Sequence, residues 1–172
     1  SIGDVSYIDT NSTTTALTEN NQDIVQNHST VRYSASGLIA QKSASISSCQ
    51  VFANGNTYSL NLSGSTASGG NTVIDSATDI DATFTVTDSR GLTASKKMTI
   101  SMLAWYLPSA IISLQRQNNF YSETDITVDA EYPSINGNNQ IIITYQATKD
   151  GDSNASVSGT LQNNVESTMI LD

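Results

Sequence analysis

Apolar residues along this chain alternate with serine and threonine instead of recurring at helical spacing, the pattern of strands with one buried face. The clearest run is Ala82-Thr83-Phe84-Thr85-Val86-Thr87, in which Ala82, Phe84 and Val86 face one way and the threonines the other. Ala94, Met98, Ile100 and Met102 alternate likewise with Ser95, Lys97, Thr99 and Ser101. Between the two runs, Asp88-Ser89-Arg90-Gly91 is a turn signal, so residues 80–102 read as a long hairpin. Asp88 can accept hydrogen bonds from backbone N–H groups two or three residues on, Gly91 can supply a positive φ, and Arg90 pairs locally or faces solvent. Earlier strands are expected over 3–8, 29–36, 43–53 and 57–62. Asn54-Gly55 joins the last two as a hairpin turn, because both residues tolerate positive φ. Residues 10–26 are polar and poorly patterned and read as a loop with a short edge strand near Ile24-Val25. Residues 64–71 read as a flexible connection, too poor in apolar side chains to pack.

The alternation breaks at Met102-Leu103-Ala104-Trp105-Tyr106-Leu107-Pro108. Pro108 forces its predecessor into extended geometry, which suits a stiff junction between two β-domains, with Trp105, Tyr106 and Pro108 as the junction residues. The competing reading of Trp105 and Tyr106 is an exposed platform for stacking sugars. A second series of strands follows over 111–115, 126–131, 140–148, 155–161 and 167–171. Ile126, Val128 and Ala130 form one inward set, Ile141, Ile143, Tyr145 and Ala147 the next, and Asp150-Gly151 turns the chain. The predicted class is all-β, two tandem β-sandwich modules over 1–103 and 104–172. A sandwich of this kind takes about 100 residues, so the second module is expected to be incomplete, without a closing hairpin like that at 80–102. A sheet cut short exposes unpaired edges, and a partner, a domain swap or a longer parent chain is expected to cover them. A start at Ser1 in place of Met is expected of a processed or excised piece.

Composition narrows the chemistry. Ser, Thr, Asn and Gln supply 72 of the 172 residues, charged residues only 13%, and there is one His, one Cys and one Trp. His28 and Cys49 fall short of a zinc site, which takes about three or four such ligands. Seven Lys+Arg against a net charge of −9 leave no basic footprint for nucleic acid. No apolar run approaches the roughly 20 residues of a membrane span. A lone Cys49 makes no intrachain disulfide and reads as a small buried hydrophobe. Asp75, Asp79 and Asp81 cluster before one strand, and Glu123, Asp125, Asp129 and Glu131 around another. Calcium takes about six to eight oxygens, and these spacings form no recognised calcium loop. Two of the acids, Asp129 and Glu131, share an outward strand face. His28, without a second His, supports no acid–base triad and reads as an exposed loop residue. No catalytic residue, metal ligand or cofactor site is therefore expected. Asn-x-Ser/Thr sequons at Asn11, Asn27, Asn61 and Asn154 follow from the composition. The charge is uneven, with −3 over residues 1–103 and −6 over 104–172.

Three segments carry a family likeness: Val86-Thr87-Asp88-Ser89-Arg90-Gly91-Leu92-Thr93-Ala94-Ser95-Lys96, then Trp105-Tyr106-Leu107-Pro108, then Arg116-Gln117-Asn118. In this order the chain resembles minor structural tail proteins of siphophages, of the kind found in streptococcal phages. These are built from tandem immunoglobulin-like or fibronectin-III-like modules. The hairpin matches the family's end-of-module signature, and the other two segments match the start of its next module. The resemblance implies that the second half supplies strands A, B, C, C′ and E, with F and G beyond Asp172. It also implies a place on the virion tail, outside the cell, as a non-enzymatic spacer of the tip or fibre in the host-attachment apparatus. Implied partners are other tail proteins and further copies of the chain, with no nucleic acid and no membrane. Host cell-wall carbohydrate is the ligand of the competing reading, a receptor-recognition module. A bacterial adhesin stalk is a further alternative. An integrin-type adhesive loop needs Arg-Gly-Asp, where this chain has Asp88-Ser89-Arg90-Gly91.

Overall fold

The protein is described from a computed structural model, covering residues 1–119, 123–148, 157–163, 165 and 167–170. Among the described residues it is all-β apart from one short helix and one turn of 3-10 helix. The chain divides into two compact units, Ser1–Trp105 and Tyr106–Asp172. The division falls inside the Trp105–Pro108 segment, leaving Trp105 with the first unit and Tyr106 and Pro108 with the second. No helix among the described residues is long and apolar enough to cross a membrane.

The first unit contains β1 (Val5–Asp9), α1 (Ser12–Thr18), β2 (Asp23–Val25), β3 (Val31–Ala35), β4 (Ile46–Ala53), β5 (Asn56–Ser63), β6 (Thr66–Thr72), β7 (Ile80–Asp88) and β8 (Thr93–Leu103). Their ladder runs β1-β3-β6-β5-β4-β7-β8-β2. β5 belongs to both halves: Asn56 to Leu60 pair with β4, and Asn61 to Ser63 pair with β6. The ladder folds over at that strand. Tyr33 on β3 and Phe84 on β7 share no ladder, yet their rings meet edge-on at 6.1 Å. Near the two ends of the ladder, the Tyr7 hydroxyl on β1 accepts the Ser101 N–H of β8 at 2.9 Å and donates to the Gln22 carbonyl at 2.8 Å. The result is an immunoglobulin-like sandwich, with β1, β3 and β6 facing β4, β7 and β8.

Alternation places the core. Val31, Tyr33 and Ala35, Cys49, Val51 and Ala53, and Ala82, Phe84 and Val86 all point between the layers and are buried. Thr83, Thr85 and Thr87 lie on the outer side, half-buried. Burying each of the larger side chains contributes roughly 1.5–3 kcal/mol. The hairpin expected at 80–102 is β7–β8, and the turn at Asn54-Gly55 has positive φ at both residues.

Two expectations for this unit are overturned. Residues 10–26 contain α1 as well as the edge strand β2, which pairs parallel with β8. Threonine-rich helices have low propensity, and this one is held from outside. Asn11 caps it by accepting the Thr13 N–H at 2.9 Å. The buried Asp9 carboxylate accepts from Asn11 N–H at 2.9 Å, Thr30 N–H at 3.0 Å, the Ser29 hydroxyl at 2.6 Å and the Thr14 hydroxyl. The second correction concerns 64–71, read as a flexible connection. Most of it is β6, paired with β3 through Ala35↔Ala67, Ser34↔Ser68 and Tyr33↔Gly69. Its packing depends on an absent side chain, since a Cβ on Gly70 would lie 2.5 Å from the Tyr33 ring.

The second unit contains β9 (Ser109–Arg116), the 3-10 turn Gln117–Asn119, β10 (Glu123–Glu131), β11 (Ile143–Ala147), β12 (Val157–Leu161) and β13 (Ser167–Ile170). They form a three-stranded sheet, β13-β10-β9, and a two-stranded sheet, β11-β12. Ile126, Val128, Ala130 and Leu161 are its buried cluster, with Ile141, Ile143 and Tyr145 packed against them. The Asn163 amide bridges the Ala130 backbone, accepting its N–H at 2.7 Å and donating to its carbonyl at 2.8 Å. The strand expected over 140–148 begins at Ile143. The turn expected at Asp150-Gly151 and the ends of the strands expected at 155 and 171 lie outside the described residues.

Candidate functional site

The Asp88–Gly91 turn closes one end of the first unit between β7 and β8. Asp88 Oδ1 accepts the backbone N–H of Arg90 at 2.9 Å and of Leu92 at 3.0 Å. Its Oδ2 takes the Arg90 guanidinium through Nη2 at 2.6 Å and Nε at 3.2 Å. Arg90 Nη2 also donates to the Gln41 carbonyl at 3.1 Å, tying the turn to the loop before β4. Gly91 stands at φ +83, where L side chains are strained. The Arg90 side chain holds the Asp88 carboxyl below its ordinary range, helped by the two N–H groups and opposed by burial. Beside the turn lies an open cleft of about 290 Å³, with Ile39, Lys42 and Leu92 among its lining.

Where β8 leaves the first unit, Trp105 turns back onto it. Its ring lies 4.5 Å from that of His28 at an interplanar angle of 52°, and its backbone N–H donates to Gln26 Oε1 at 3.2 Å. Gln26 Nε2 and Asn27 Nδ2 both donate to Asp75 Oδ1, at 2.8 and 3.0 Å. The two amides, Gln26 first, pull the Asp75 carboxyl below its usual value. Half-buried Trp105 thus sits beside two amides, an imidazole and a carboxylate drawn from two distant segments, 26–28 and Asp75. Trp105 stands out in the sequence, but nothing in the local pattern links it to Gln26, Asn27 or Asp75. Tyr106 and Pro108 are exposed at the start of the second unit.

The acidic clusters do not converge. Asp75 takes amides, Asp79 accepts the Met102 N–H at 2.8 Å, and Asp81 accepts the Thr99 hydroxyl at 3.2 Å. Asp125 accepts from Gln117 at 2.9 Å, while Asp129 and Glu131 face outward. Among the described residues no three His, Cys, Asp or Glu side chains are grouped to hold a metal ion. Cys49 is a buried free thiol whose pKa burial raises, away from the reactive thiolate. Compared with known proteins, the chain matches no family model and no curated protein.

Proposed function

We propose that the protein is a non-enzymatic structural component of a phage tail, a spacer of the tip or fibre that serves host attachment from the outside of the virion. The observation that carries this reading is the Asp88–Gly91 turn, part of the segment in which the family resemblance lies. Its charged groups are engaged within the fold: Asp88 accepts three hydrogen bonds from Arg90 and one from the Leu92 N–H just past the turn, and Arg90 bridges to Gln41. A turn so braced suits a module whose task is to hold shape. The hydroxyl-rich outer faces and the net charge of −9 favour solubility. Other tail subunits and further copies of the chain are the partners in this reading.

The test is to purify phage particles released by induction from a strain carrying the gene and label them with antibody to the chain. Gold at the tail tip or fibre is expected. Recovery of the chain only in cell-wall or cell-interior fractions overturns the proposal.

A second reading, recognition of host cell-wall carbohydrate, is favoured by one cluster. Trp105 offers a stacking surface beside the Gln26 and Asn27 amides and the Asp75 carboxylate. Purified wall polysaccharide should bind the wild-type chain and bind Trp105→Ala about five- to a hundredfold more weakly, roughly the 1–3 kcal/mol of an aromatic stacking contact. No binding by a multimerised wild-type chain removes this reading.

A further inference from the structure

The cleft beside the Asp88–Gly91 turn combines an apolar interior with the wrong charge for this protein. Its floor is the end of the first unit's core: Val86 lies opposite Ala94 on the β7–β8 hairpin, and Ile46 on β4 lies opposite Asp88. Val86 is buried, and Ile46 and Ala94 pack against the core from its margin. Two aliphatic side chains on the same lining, Ile39 and Leu92, are 57% and 64% exposed. Two of the five basic residues of the first unit line the cleft, Lys42 and Arg90, against one of its eight acidic residues, Asp88. In a unit of net negative charge this lining is therefore cationic.

The two cations are neighbours, and each keeps donors to spare. Arg90 spends Nε and Nη2 on Asp88 and the Gln41 carbonyl, the peptide group that precedes Lys42. A guanidinium carries five N–H groups, so the two on Nη1 remain, and the Asp88 tether fixes their position. Lys42 has no ion pair among the described residues. The loop that carries it is held in an uncommon conformation, with Lys42 at φ +53 and Ser43 at φ +61 in succession. Such backbone is disfavoured for L side chains and gathers where ligands are held. The volume, about 290 Å³, is at the small end of the roughly 300–1,000 Å³ of ligand pockets. It suits one short apolar group and not a polymer.

We propose that this cleft is a binding site for a small amphipathic anion, a short aliphatic carboxylate. The alkyl group lies over Val86, Ile46 and Ala94 between Ile39 and Leu92, and the carboxylate accepts from the Lys42 ammonium and the free Arg90 Nη1. A planar carboxylate is matched by a fixed guanidinium edge, and charge-assisted hydrogen bonds of this kind are the strong ones. Asp88 does not repel the ligand's head, because Arg90 lies on its carboxylate. The inference rests on the lining of the cleft and is independent of the phage-tail reading, which stands or falls on the labelled particles.

A series of ligands with one chain and three head groups tests it. Sodium hexanoate, 1-hexanol and hexylamine are titrated into the chain Ser1–Asp172, and backbone amide shifts are followed by NMR, with inorganic phosphate as a fourth probe. Hexanoate should give saturable shifts at the amides of Lys42, Arg90 and Leu92. Hexanol should bind the same residues about tenfold or more weakly, and hexylamine and phosphate more weakly still. Lys42→Gln should bring hexanoate down to the level of hexanol and leave hexanol unchanged, whereas Leu92→Ala should weaken both by about threefold. Both substitutions are at exposed positions, so the fold is retained. The Ser1 amino group also lines the cleft and donates to the Ile39 carbonyl. Acetylating it should leave the preference for hexanoate intact. Absence of saturable shifts at these residues overturns the proposal, as does hexanol binding as tightly as hexanoate. Phosphate binding as tightly as hexanoate, or a preference that disappears on acetylation, overturns it as well.

Discussion

At residue scale the first unit is governed by close approaches around Tyr33. Its ring stacks on Tyr58 at 5.9 Å, meets Phe84 edge-on and leaves room below only for a glycine. Gly70 stands at φ +107, so Gly70→Ala meets both a ring and a strained backbone. A loss of about 1–3 kcal/mol is expected in urea unfolding. The Tyr33 hydroxyl, by contrast, is buried with no hydrogen-bond partner. Leaving it so costs about 1–3 kcal/mol, so Tyr33→Phe should be neutral or stabilising by about that much in the same measurement. Asp88 and Asp75 both have folded-state pKa values depressed by their hydrogen-bonding neighbours. Depression means that the folded state favours the carboxylate. The stability each contributes is complete above the ordinary Asp value near ~3.9 and is lost as pH falls through the lower folded value. Thermal unfolding of the wild type should show that acid-side decline, and the double variant Asp75→Asn/Asp88→Asn should show a shallower one.

Among the elements, those legible in advance are the ones whose packing uses side chains in strict alternation. β7 and β8 are the best case: Ala82, Phe84, Val86, Ile100 and Met102 point inward at period two and pack in the core. Where packing relies on something other than a period of apolar residues, the pattern is silent. β6 is recognised by its lack of bulk at Gly70, and α1 is organised by a buried carboxylate from the strand before it. Removing the cap with Asn11→Ala should cost about 1 kcal/mol. Asp9→Ala should cost about 2–3 kcal/mol or more, because the Ser29 and Thr14 hydroxyls and two backbone N–H groups lose a shared acceptor. Hydrogen exchange localised to residues 9–30 distinguishes this from global unfolding. The Trp105 cluster was half legible. The aromatic stands out in the sequence, but Asp75 joins Gln26 and Asn27 only because Asn27 N–H bonds the Ile74 carbonyl and brings those loops together.

Across the whole molecule the two units differ in how completely they bury their apolar faces. The first has a core fed by all eight of its strands except for the outer faces. The second packs a small cluster and leaves Ile112, Leu114 and Ile142 exposed. Denaturant unfolding of the chain should therefore proceed in two steps, with the second unit losing structure first. A single cooperative transition followed by probes in both units speaks against it. The alternation of apolar and hydroxyl residues by itself determined the all-β class, the long hairpin, the turn at Asn54-Gly55 and the inward sets of both units, because a strand's two faces are written locally at period two. Tertiary structure alone decided that β5 joins both layers, that a glycine-rich stretch is a strand and that a threonine-rich one is a helix. It alone also decided which inward residues are covered, since burial depends on what another part of the chain lays over them.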